Sequence, residues 1–137
     1  MQRVAGIGFM LIGLLHMTLF GWDAWPQAAA VLSGALWTTD HTLLPVAARD
    51  PALLQAEHAF WSTIGSAGIP VLVLGLVILW IDRSGLRVPA APSALLVIWS
   101  AVGTALMQPS GFPLVLLASA LLLIASLRRQ ETTPGTD

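Results

Sequence analysis

Apolar residues occupy this chain in long blocks, and polar residues gather between them. The blocks cover roughly Val4–Trp22, His58–Ile81, Ala94–Met107 and Pro113–Leu127. A helix needs about 20 residues to cross the hydrocarbon core, with a range near 17–25. The first two blocks reach that length, and the third and fourth stand at its short limit. Between the last two lies QPSGFP, whose Pro109, Gly111 and Pro113 favour a tight reversal. The pattern predicts an all-α fold, a four-helix transmembrane bundle whose last two helices form a close antiparallel pair.

The stretch 23–56 is the one sizeable loop. Within it PQAAAVLSGALW (Pro26 to Trp37) is too short to span, and Pro26 suits a first helical turn. A short interfacial or re-entrant helix is expected in this first outer loop. Asp50-Pro51 reads as an N-cap followed by a first-turn proline, so the second helix should begin near Pro51. Pro70 falls inside the second block and is expected to kink it. Residues 1–129 read as a single membrane domain, and 130–137 as a polar, disordered cytoplasmic tail.

Composition supports the membrane reading. Hydrophobic residues make up 56% of the chain and charged residues 9%, against about 25% charged in a soluble domain. There is no cysteine, which removes disulfides, thiolate metal sites and cysteine nucleophiles. A net charge of −1 leaves no basic footprint for nucleic acid. Arg3, Arg83, Arg87, Arg128 and Arg129 fall on one side of a four-span arrangement, and Arg49 alone on the other. The positive-inside rule then puts both termini in the cytoplasm of a bacterial cell, as a multi-pass protein. Trp22, Trp25 and Trp37 fit an outer interfacial belt and Trp80 an inner one. A cleavable signal peptide is the rival reading of the first block, but the apolar run is long for one and contains His16.

The candidate chemistry lies in the few polar groups set among apolar ones. QAEHAFWS (residues 55–62) places Glu57 and His58 side by side. At 100° per residue Glu57 lies over Trp61, Ile64 and Gly68, and His58 over Ser62, Gly65 and Ile69. Small residues mark faces where membrane helices approach closely, so His58 heads a packing seam with Glu57 on its flank. His16 shares a face with Ala5, Phe9, Ile12 and Gly13, and ionisable residues inside a span usually point inward. Gln108 shares one with Ala94, Ala101, Thr104 and Ala105. Together these residues predict a polar pocket in the outer half of the bilayer, roofed by the 23–56 loop.

Two uses of that pocket follow. One is a membrane protein that binds a hydrophobic small molecule or a partner helix. The other is a cofactor-independent isomerase or terpene-type cyclase working in the lipid phase. In it Glu57 donates a proton, His16 or His58 acts as base or orienter, Gln108 positions substrate, and Trp61 and Trp37 shield a cationic intermediate. Each residue also has a structural explanation: Glu57 at a helix entry facing water, His58 hydrogen-bonded at the interface, His16 bridging two helices, and the tryptophans as anchors. No cofactor is implied. His16 and His58 stand on different helices without metal-ligand spacing, and His41 is placed in the loop. The glycines of GIGFMLIG do not follow a strand and are packing residues. The spans lack a charged stripe that could line a pore. The partners expected are the lipid bilayer and a hydrophobic ligand, and self-association into a homo-oligomer is compatible with the pattern.

The motifs LIGLLHMTLFG, EHAFWS, LWIDRSG and QPSGFPLVL, taken together, resemble those of a family of small actinobacterial four-span integral membrane proteins built on a domain of unknown function. The likeness covers nearly all of the chain except the tail. It implies the four-span fold and no particular activity, and the alanine-rich outer loop departs from it.

Overall fold

The computed structural model describes residues 1–107 and 110–128, with the backbone alone at residues 39–40. Gln108 and the tail 130–137 lie outside the described residues. All regular structure among the described residues is helical: α1 Gln2–Ala24, α2 Ala28–Leu32, α3 Thr39–Leu43, α4 Pro51–Ser62, α5 Gly68–Arg83, α6 Ala90–Leu106 and α7 Phe112–Leu127. Packing divides the chain into two compact units, Met1–Gly13 with Pro70–Asp137, and Leu14–Ile69.

The block His58–Ile81 is not the single kinked helix that its apolar run predicts. α4 ends at Ser62 and α5 begins at Gly68. Thr63 has left helical geometry, with φ −120° and ψ −96°. The Thr63 hydroxyl donates to the Ala59 carbonyl and the Ser66 hydroxyl to the Thr63 carbonyl. Such local bonds offer the backbone an alternative to the helix, and Gly65 weakens its propagation. Pro70 then lies in the first turn of α5, where its missing N–H breaks no intrahelical bond.

The break shortens the second predicted block to α5, whereas α1, α6 and α7 are each longer than the block that predicted them. One helical run, Gln2–Leu32 with 31 residues, is long and apolar enough to cross a bilayer by length and composition. α5, α6 and α7 hold 16, 17 and 16 residues. At 1.5 Å per residue these helices are about 24–26 Å long, against a hydrocarbon core of roughly 30 Å. The segment 26–37 is also broken, because Gly34 (φ +76°) separates α2 from a 3₁₀ turn at Ala35–Trp37. At α4 the reading of the sequence holds: the Ala52 N–H donates to Asp50 Oδ1 at 2.8 Å, with Pro51 in the first turn.

In the unit formed by Met1–Gly13 and Pro70 onward, a core of Ala5, Phe9, Val71, Ile78, Val88, Val115, Ala118 and Leu122 forms around close backbone contacts. A Cβ on Gly75 would collide with Met10 N and lie 2.7 Å from Gly6 O, so α1 and α5 meet backbone to backbone there. Phe112 fills the space that a side chain on Gly103 would need. Ser93, Ser100 and Ser119 are fully buried, whereas Leu95, Ile98 and Leu117 are 67%, 60% and 59% exposed. The buried hydroxyls donate to carbonyls four residues back, those of Pro89, Leu96 and Val115.

A second polar layer closes one end of this unit. α5 ends on Gly85 (φ +71°), with Leu86 N–H donating to Ile81 O and Gly85 N–H to Asp82 O, both at 3.1 Å. This is the Schellman closure that a left-handed glycine permits. Gln2, 6% exposed, then grips the emerging chain: its Nε2 donates to Leu86 O and its Oε1 accepts from Val88 N–H, both at 3.1 Å.

Candidate functional site

Apart from Gln108, the polar residues singled out in the sequence lie in the unit Leu14–Ile69, in three separate settings. The first is built by the loop after Trp37. The Thr38 hydroxyl caps α3 by accepting from His41 N–H at 3.4 Å. That turn buries His41 to 4% exposure and sets its Nε2 3.1 Å from Glu57 Oε2 on α4. Arg49 Nη1 reaches the same oxygen at 3.2 Å. The remaining guanidinium nitrogens are also engaged: Nε donates to Leu44 O at 2.9 Å and Nη2 to Thr42 O at 3.1 Å. An ionised carboxylate only accepts, so His41 Nε2 carries the proton in this contact. The buried Nδ1 has no partner among the described residues.

This arrangement is a clasp that holds residues 38–50 on α4. The Glu57 side chain is 35% exposed and that of Arg49 17%, so water screens the pair and its net contribution is about 1 kcal/mol. The clasp also changes what Glu57 can do. A carboxylate that receives a guanidinium and an imidazole N–H on one oxygen is held as an acceptor. Its other oxygen, Oε1, has no partner among the described residues.

His16 belongs to a different arrangement. Its Nε2 lies 3.2 Å from the Ser62 carbonyl, and its ring rests against Phe20 at a centroid distance of 4.5 Å. Ser62 closes α4, and the last carbonyls of a helix have no partner within it. His16 donates to one of them where the chain breaks. Gly68 leaves it room, since a Cβ there would stand 2.6 Å from His16 Cδ2. The structure therefore does not bring His16 and Glu57 together: each is bound to a partner of its own.

His58 is the residue that faces open space. It is exposed and its ring has no hydrogen-bond partner among the described residues. With Phe20, Asp23, Gln27, Leu54 and Gln55 it lines an open cleft of about 480 Å³ between the end of α1 and α4. Gln27 Nε2 and Gln55 Oε1 stand 3.4 Å apart on its rim. The cleft offers one carboxylate, one imidazole and two amides beside the apolar surfaces of Phe20 and Leu54. Trp37 and Trp61 do not line it. They form an edge-to-face ladder through Phe60, with both centroid separations 5.1 Å, and Gly65 packs against Phe60 and Trp61. Gln108, the remaining residue predicted to bind substrate, lies outside the described residues.

Sequence reasoning missed His41 and Arg49 as partners of Glu57, and Asp23, Gln27 and Gln55 as neighbours of His58. A signal for the first group was present: Thr38 stands three residues before His41, an N-cap spacing that orders the loop. Nothing in the spacing of Asp23 and Gln27 announces that α1 continues far enough to face α4.

A protein-family model matches residues 1–129, and its description is Family of unknown function (DUF6463). No curated protein and no solved structure matches the chain.

Proposed function

The chain belongs to this family of unknown function, and we propose that it is a four-span integral membrane protein that binds a hydrophobic small molecule by its polar end. The spans are α1, α5, α6 and α7, with both termini cytoplasmic and the His58 cleft opening at the outer leaflet. The burial pattern supports the membrane placement: Ser93, Ser100 and Ser119 are buried in α6 and α7 beside core residues such as Leu122, while Leu95, Ile98 and Leu117 face outward. In water that surface would be an aggregation liability. In lipid it is the solvated face, and small residues with internally bonded hydroxyls make the helix contacts. α5, α6 and α7 are short for an average bilayer, so thinning of the lipid or flanking interfacial residues make up the difference.

The observation that carries the binding reading is the cleft of about 480 Å³, in which the unpartnered His58 and the Gln27 and Gln55 amides stand beside apolar wall. Ligand sites typically combine a mainly apolar lining with a few convergent polar groups. A long-chain alcohol or amine fits this chemistry, with its head on His58, Asp23 and the amides and its chain along Phe20 and Leu54 toward lipid. We favour binding over an isomerase or cyclase because Glu57 Oε2 and His16 Nε2 are each bound to a protein partner.

The test is photolabelling in nanodiscs with diazirine-bearing long-chain alcohol and amine probes. Label is expected on peptides containing residues 20–27 and 54–62, and to fall at least threefold in His58→Ala. Label spread evenly over the apolar surface would remove the reading. Topology is checked separately with single cysteines at Ser84 and Ser33, which should react from opposite sides of the membrane.

A further inference from the structure

The unit containing the two chain ends carries a second cleft that the outer-cleft reading does not use. It measures about 670 Å³ and is lined by Gln2, Asp82, Leu86, Arg87, Ala125 and Arg128, among others. We propose that this cleft binds a phosphate group, as the head of an anionic phospholipid or as a soluble phosphate.

Its cationic side chains are positioned yet largely uncommitted. Arg87 lies on the short connection whose backbone Gln2 grips on either side, at Leu86 O and Val88 N–H. Val88 is buried, and its carbonyl accepts from the Ser126 hydroxyl at 2.9 Å. The Arg87 guanidinium is steadied by one bond, Nη1 to Ala125 O at 3.0 Å in the last turn of α7. Carbonyls at a helix C-terminus favour a cation. A guanidinium has five N–H donors, and this is the only one of them with a protein partner among the described residues. Arg128 is freer still: among the described residues Nη1 touches only the Met1 sulfur, a weak acceptor, at 3.4 Å.

Neither arginine forms an ion pair with a carboxylate among the described residues, whose ion pairs both involve Glu57. Among the described residues Asp82 is the one carboxylate on the cleft wall, facing the guanidinium groups of Arg87 and Arg128. Two guanidinium forks over a prearranged backbone match the oxygens of a phosphate. An adjoining cleft of about 310 Å³, with Arg3 and Arg83 on its wall, shares Asp82. Cationic character therefore continues around the end of α5.

The lipid source rests on the four-span reading, which puts this end at the inner leaflet, where basic pockets meet anionic head groups. The cleft itself rests only on the geometry above. The experiment therefore uses protein purified in detergent, where topology plays no part. Parent, Arg87→Gln/Arg128→Gln and Asp82→Asn are each titrated with phosphatidylglycerol or phosphatidylcholine in mixed micelles, and bound lipid is read by native mass spectrometry. The parent should retain phosphatidylglycerol over phosphatidylcholine. The double variant should lose about fivefold per arginine, and Asp82→Asn should gain. If millimolar inorganic phosphate displaces the lipid, the cleft serves a soluble phosphate. If it does not, the occupant is the lipid. Equal retention of phosphatidylglycerol by the parent and a folded double variant overturns the proposal. Should the double variant lose its helical circular dichroism, Asp82→Asn decides alone: unchanged retention overturns it.

Discussion

Replacing Gly75 with alanine adds one methyl group where two helix backbones touch. The new Cβ would overlap Met10 N and sit 2.7 Å from Gly6 O and 2.9 Å from Met10 Cα. Ordinary carbon contacts need about 3.5–4.0 Å, so α1 and α5 must part by roughly 1 Å along this seam. Because the obstacles are backbone atoms, no rotamer change can absorb the strain. A gap of 0.5–1 Å forfeits about a quarter to a half of each contact's attraction, and the fully buried Phe9 and Ile78 pack beside the seam. Overpacking of this kind costs about 1–3 kcal/mol, or about five- to 150-fold in the folded population. The assay is reversible unfolding in mixed micelles, followed by circular dichroism. Gly8→Ala is the control, since its Cβ would meet only Ala118 Cβ at an ordinary 3.6 Å. If Gly75→Ala proves as stable as Gly8→Ala, the close backbone approach of α1 and α5 is wrong.

Other substitutions test other contacts. Arg49→Gln removes the bonds to Glu57, Leu44 O and Thr42 O; amide exchange in 38–50 should quicken about tenfold while that of α4 stays put, and unchanged exchange would deny the clasp. Gly68→Ala should destabilise by pressing on His16, and His16→Ala should relieve it, so a double-mutant cycle with no coupling would remove the contact. His16→Leu alone should cost about 0.6 kcal/mol, the average for a membrane hydrogen bond, as read by the same unfolding assay. Gln2→Leu strands two backbone groups of the connection after α5 and should cost about 1–3 kcal/mol; a thermal midpoint equal to the parent's would contradict the fork.

How much of this could be read from the sequence depended on the range of the interaction. The helical class, the Asp50-Pro51 start and the packing role of the early glycines are local or periodic, and each follows from residue type and spacing. The break after Ser62 was harder to see, because apolar periodicity continues through it and only the Thr63, Gly65, Ser66 cluster marks it. The partners of Glu57 were only partly legible: the Thr38 cap spacing marks the α3 turn that carries His41, but no fixed period relates Arg49, eight residues away, to α4. His58 was singled out for its helix face, but what it faces depended on how far α1 runs beyond Trp22. The Gln2 fork was missed because an amide near a chain end carries no pattern of its own.

That fork also bears on the order of synthesis. Gln2 leaves the ribosome early, yet the atoms it binds lie 84 and 86 positions further along. Until Leu86 and Val88 are translated its amide lacks these two partners. The end of the molecule around Arg87 can thus be sealed only after α5 has been made, which makes it a late event in the assembly of the nascent chain.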